Sequence, residues 1–147
     1  MQEIVGIWKN EKGSILEVMD VEEIEGADAA TGFNPTSSYR FSGLFQTAKG
    51  AVPKNIKNPV TGFILPDPNT ACVSFSVSYA GIKTDSDGEQ KEVQSLASFA
   101  GRFIDNEIRT IWNLVYDFDK DNDNDNEGIN DWQIAISGYD VFKKVST

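Results

Sequence analysis

Side chains able to do acid–base or nucleophilic chemistry are few in this chain. It has no histidine and one cysteine, Cys72, which excludes Ser-His and Cys-His dyads, His-ligated metal sites and an internal disulfide. Carboxylates, lysines and tyrosines remain as general bases. A carboxylate-based hydrolase built on Asp140 needs a second acid at a defined separation, and the sequence identifies none. The acidic run Asp117-Phe-Asp-Lys-Asp-Asn-Asp-Asn-Asp-Asn-Glu-Gly128 raises calcium, because alternate carboxylates can converge on one hard cation. In a calcium-loop register starting at Asp123, Asp125, Glu127 and Gly128 fall at the required places. The twelfth position is Ile134, however, where a bidentate Glu is needed, and helical flanks are missing. Asp123, Asp125 and Glu127 are therefore a weak calcium candidate, and the region 117–131 reads first as a solvated acidic loop. The residue types point to binding rather than catalysis.

The elements that must position any site are strands. Apolar residues recur with a period of two, and Gly, Asn, Asp and Pro interrupt them at short intervals. In Val73-Ser-Phe-Ser-Val-Ser-Tyr79 the apolar residues share one face and the serines the other. Strands are predicted from Ile4 to Lys9, Ser14 to Met19, Ser38 to Gln46, Val60 to Leu65, Val73 to Tyr79, Gln94 to Ile104, Glu107 to Tyr116 and Trp132 to Lys144. No stretch has a helical period. Residues 1–147 fit one all-β domain with a real core. Short connections between this many strands favour an antiparallel up-and-down barrel whose interior can hold one small ligand, with a β-sandwich as the second choice. Asp20 to Thr36 and Lys49 to Pro59 read as loops.

Five segments end in residues that could line one cavity: Gly6-Ile-Trp-Lys-Asn-Glu-Lys-Gly-Ser14, Ser42-Gly-Leu-Phe-Gln-Thr-Ala48, Phe75-Ser-Val-Ser-Tyr79, Ser95-Leu-Ala-Ser-Phe-Ala-Gly101, and Trp112 through Gly138-Tyr-Asp140. Together they resemble the avidin and streptavidin family of biotin-binding barrels, closely at both ends of the chain and in outline in the middle. The resemblance implies that Asn10 and Ser14 donate hydrogen bonds to the ureido oxygen of biotin. Phe45 stands where the family has a Tyr as third donor, so it keeps the ring and loses the hydroxyl. Thr47 would accept from one ureido N–H and Asp140 from the other. Tyr79 replaces a family Trp and joins Phe99, Trp112 and Trp132 as the aromatic wall. Ser95 would meet the valeryl carboxylate, and Ala97 replaces a hydroxyl residue that touches the sulfur. Trp132 is the residue that the family lends across a subunit interface, which implies a homotetramer. The positions that pack between subunits on the last strand are Ser137 and Tyr139 here.

Taken singly, Asn10 and Ser14 are ordinary turn residues and the rings are ordinary barrel core. Their order, spacing and company carry the resemblance. The departures at Phe45, Tyr79 and Ala97 cost about 1–3 kcal/mol each by typical hydrogen-bond and aromatic magnitudes. Non-catalytic biotin binding weaker than that of the tightest family members is the expectation. The alternative is an avidin-fold protein with lost or altered biotin binding, serving another small ligand or a structural role. No cofactor is expected beyond biotin as ligand. A net charge of −10, from 13 basic and 23 acidic residues, argues against nucleic acid and anionic membranes as partners. The family resemblance implies a secreted or periplasmic protein, although Met1-Gln-Glu-Ile does not read as a signal peptide.

Overall fold

The computed structural model describes residues 1–24, 38–48, 55–84, 86–116 and 135–146. Its strands are β1 (Gly6–Asn10), β2 (Ile15–Ile24), β3 (Ser38–Gln46), β4 (Asn58–Pro66), β5 (Ala71–Thr84), β6 (Gln90–Ile104), β7 (Glu107–Tyr116) and β8 (Ala135–Ser146). Each pairs antiparallel with its sequence neighbour, and β8 returns to pair with β1, closing the barrel. The up-and-down barrel expected from the alternation is formed, and the β-sandwich is not. Among the described strands, closure leaves no edge exposed for pairing with another chain. Because the connections are all antiparallel, β1, β3, β5 and β7 end, and β2, β4, β6 and β8 begin, at one end of the barrel.

Alternation decides the core. In β5 Val73, Phe75 and Val77 are buried, while Ser74 and Ser78 face outward. Inward rings from several strands meet on the axis: Phe75 stacks on Phe99 with centroids 4.5 Å apart, and Phe142 stands edge-on to both at 6.3 and 6.1 Å. Each fully buried side chain of this size contributes about 1.5–3 kcal/mol from burial. Phe41 packs against Phe75 only because Gly62 has no side chain; a Cβ there would collide with the Phe41 ring.

Several strand limits differ from expectation. Ile4 belongs to a 3-10 turn, Gln2–Ile4, rather than to β1. It is 2% exposed and its carbonyl accepts the Trp8 indole N–H at 2.8 Å, so the turn closes the barrel end opposite the β1–β2 turn. The stretch read as a loop from Asp20 instead begins as strand: Asp20 to Ile24 pair with Ser42 to Ser38. A bulge near Met19 shifts the register, and Arg40 reaches Glu22 at 2.8 Å on the exposed face, which is how acidic residues are carried on a strand. Asn58 and Pro59, read as loop, open β4 opposite Phe45 and Leu44. The β5–β6 ladder continues past the apolar alternation to Thr84 and Gln90, because each added pair satisfies backbone donors and acceptors. Asp105 and Asn106, with φ of 53° and 58°, form the two-residue turn joining β6 to β7. Both φ values match the left-handed geometry that suits a tight hairpin.

Candidate functional site

The site begins in the turn between β1 and β2. The Asn10 side-chain oxygen accepts the backbone N–H of Lys12 at 3.1 Å and of Ser14 at 2.8 Å, and Gly13 takes the positive φ of 90° that the turn requires. Asn10 therefore does make the turn, as its residue type predicts. This use of the oxygen fixes the amide, and its Nδ2 is buried with no hydrogen-bond partner among the described residues. Ser14, also buried, accepts the backbone N–H of Ala48 at 3.1 Å through Oγ. That bond ties the turn to the end of β3, where Phe45 is buried and Thr47 half-buried.

Rings line the adjoining inner face. Phe45 lies 6.2 Å from Tyr79 and 5.6 Å from Phe99, and Phe99 lies 6.5 Å from Trp112. The aromatic positions predicted on β3, β5, β6 and β7 thus form one connected chain of contacts. Strand register places the rest: Tyr79 pairs with Ser95, Val77 with Ala97 and Phe75 with Phe99. Ala97 is buried and Ser95 half-buried. Trp112 pairs with Gly138, and a Cβ on Gly138 would collide with the indole. The glycine lets the indole lie on the β8 backbone. The indole Nε1 is a second buried donor without a partner among the described residues.

Asp140 is the acceptor of the group. It is 5% exposed and is the one buried charged residue among those described. Thr110, opposite it on β7, donates its hydroxyl to the Asp140 carbonyl at 3.2 Å. Burial pushes the Tyr79 phenol well above its usual range, and the negative charge of Asp140 pushes it further. The carboxylate itself holds the Lys12 ammonium at 2.7 Å.

The structure thus brings Asn10, Ser14, Phe45, Thr47, Tyr79, Ser95, Ala97, Phe99, Trp112 and Asp140 to neighbouring positions on the barrel. Trp132, Asp123, Asp125 and Glu127 lie outside the described residues. Sequence reasoning missed three participants. Phe142 contacts Phe45 at 6.2 Å and was legible, since it stands two residues beyond Asp140 on the same face. Asn58 is buried opposite Phe45 and donates to its carbonyl at 3.2 Å; an Asn-Pro pair reads as a loop, which hid it. Lys12 left no signal, because spacing does not tell which way a turn lysine points. Chemically the assembly offers a buried carboxylate, donors unpaired among the described residues and aromatic faces, which is equipment for recognising a compact polar group carried on an apolar body.

The family model described as the Avidin family matches residues 1–145. Among solved structures, the chain is similar to the biotin binding protein from chicken, with a TM-score of 0.60 and 23% identity over 97% of this chain and 98% of that one. It is similar to bradavidin, with a TM-score of 0.59 and 18% identity over 95% and 79% of the two chains. It is similar also to bradavidin2 in its biotin complex, with a TM-score of 0.51 and 18% identity over 95% of both. No curated protein matches the sequence.

Proposed function

This chain belongs to the avidin family, and from that premise we propose that it binds biotin without catalysis, at the end of the barrel bearing the β1–β2 turn. The observation that carries this reading is a buried donor lacking a partner among the described residues, Asn10 Nδ2, at the same end of the barrel as the buried carboxylate of Asp140. A ureido group presents one acceptor oxygen for such a donor and two N–H groups for such a carboxylate, and without a ligand the Asn10 amide holds a costly unpaired N–H among the described residues. Asn10 and Ser14 donate to the ureido oxygen, Asp140 and Thr47 accept its N–H groups, and Ser95 meets the carboxylate. Tyr79, Phe99 and Trp112 enclose the bicyclic ring, with Phe45 and Ala97 contributing apolar contact. Rigid elements hold these groups in advance, so ordering costs on binding are small.

A homotetramer belongs to the same proposal. Leu96, Ile111, Val115 and Tyr139 expose 46–63% of their surface on the outer face of β6, β7 and β8, and neighbouring barrels would cover them. Trp132 would then cap the partner's site. Export from the cytoplasm is inferred from the family alone.

A second reading is a different small ligand on the same barrel. It is favoured by Phe45, Tyr79 and Ala97, which replace a donor, a larger ring and a hydroxyl. Replacing Asp140 separates the two. Asp140→Ala weakens biotin binding by about 2–4 kcal/mol, as expected for loss of a buried charged hydrogen-bond partner. Unchanged affinity in a competition assay against labelled biotin would exclude Asp140 from the biotin site.

A further inference from the structure

Lys12 stands apart from the other cations in the ion pairs of the described residues. The Arg40–Glu22, Lys57–Glu17 and Arg109–Glu107 pairs join side chains that are each at least 22% exposed. The Lys12–Asp140 pair joins a 37% exposed lysine to a carboxylate that is 6% exposed, at 2.7 Å. The ammonium also lies 3.4 Å from the Tyr139 carbonyl and 5.4 Å from the centroid of the Trp112 ring. The turn is fastened to β8 a second time, by Glu11, which accepts the Val141 N–H at 3.1 Å. Lys12 therefore covers the carboxylate from the end of the barrel that bears the β1–β2 turn, with its ammonium over one wall ring.

We infer that Lys12 is an internal competitor for Asp140, a built-in cation that occupies the hydrogen-bonding position a ligand N–H needs and so sets the affinity of the site. The inference rests on the biotin reading above and goes beyond it by naming a residue that limits binding. Two routes are open to an arriving N–H, and both have the same sign. If the ligand displaces the ammonium, a short ion pair in a poorly hydrated place is broken. If the ligand takes the other carboxylate oxygen and Lys12 stays, it meets an acceptor whose charge is already compensated, and charge-assisted hydrogen bonds lose strength accordingly. In the ligand-free protein the same pair relieves the cost of burying Asp140. Lys12 thus stabilises the fold and weakens the site, and it selects for ligands whose polar head supplies strong N–H donors.

The test is a calorimetric titration with biotin at pH 8, above the carboxylate range, on the full chain and on Lys12→Met, which keeps an unbranched side chain and removes the ammonium. Lys12→Gln, which keeps a neutral donor, serves if the methionine variant folds poorly. The expected result is about tenfold tighter binding by Lys12→Met, the scale of one charged hydrogen bond, with a lower melting temperature in the absence of biotin. Lys12→Gln falls between. On an Asp140→Asn background, Lys12→Met produces no gain. Equal or weaker binding by Lys12→Met, while the unmodified chain binds, overturns the role of Lys12 and leaves the biotin reading standing. Binding by Lys12→Met alone supports the role of Lys12 and shows the competitor dominant. Binding by neither, with both folded, overturns both.

Discussion

Phe45 is the residue at which the proposed site departs most simply from the pattern that the family resemblance implies, in which a hydroxyl is added to the same ring. It is 3% exposed and wedged between Tyr79 and Phe99. Phe45→Tyr adds a buried hydroxyl that has its best acceptor when a ureido oxygen is bound. The expected outcome is a gain in biotin affinity of about 0.5–1.5 kcal/mol, measured by calorimetry, together with a small loss of ligand-free stability. An affinity that falls would mean that the para position of this ring does not face the ligand. Lys12 belongs to the same scale. It differs from the family-matched residues in being invisible to sequence, because a turn residue carries no period and its direction is settled only by where β8 lies. Asp140, by contrast, was legible twice over: by resemblance, and by the alternation that puts it and Phe142 on the buried face.

At the scale of the element, the β7–β8 pair depends on a glycine. Trp112 lies against β8 where Gly138 leaves room, and Gly138→Ala forces the indole aside at a cost of about 1–3 kcal/mol, the usual range for overpacking. Chemical denaturation should show that loss, with weaker biotin binding because Trp112 moves; full stability would mean that the indole shifts freely. The far end of the same pair responds to acid. Glu107 accepts from Arg109 at 3.0 Å and pairs with Lys143 at 3.3 Å, and these partners hold its carboxyl below the usual range, Arg109 first. A depressed pKa contributes stability that is present above the unfolded value and is lost as pH falls through the folded one. Melting temperatures should therefore fall on acidification below the ordinary carboxylate range, and Glu107→Gln should make that acid limb shallower. An unchanged limb would show that the pair contributes nothing. Strands with clean alternation, such as β3 and β7, had legible limits. Those extended by backbone pairing, such as the Asp20 to Ile24 part of β2 and the outer β5–β6 ladder, did not, because hydrogen bonds between strands depend on a neighbour that local sequence does not name.

For the whole molecule, barrel closure converts residues scattered over the chain into one constellation. β1 and β8 are joined by pairs such as Asn10 with Phe142, and that seam sets the turn bearing Asn10, Lys12 and Ser14 beside Asp140. The fold was legible because strand count, short connections and absent helical period leave few architectures. The grouping of the candidate site residues was read from the resemblance, since singly they are turn and core residues. The exposed face bearing Ile111, Val115 and Tyr139 ties the account to assembly, as the proposed tetramer would cover it. The most direct test of the central claim is a calorimetric titration of the full chain with biotin, with the oligomeric mass recorded on the same sample. One biotin per chain at about nanomolar affinity, roughly −12 kcal/mol, on a tetramer is the expected result; no heat and no thermal shift from a folded sample would contradict biotin binding.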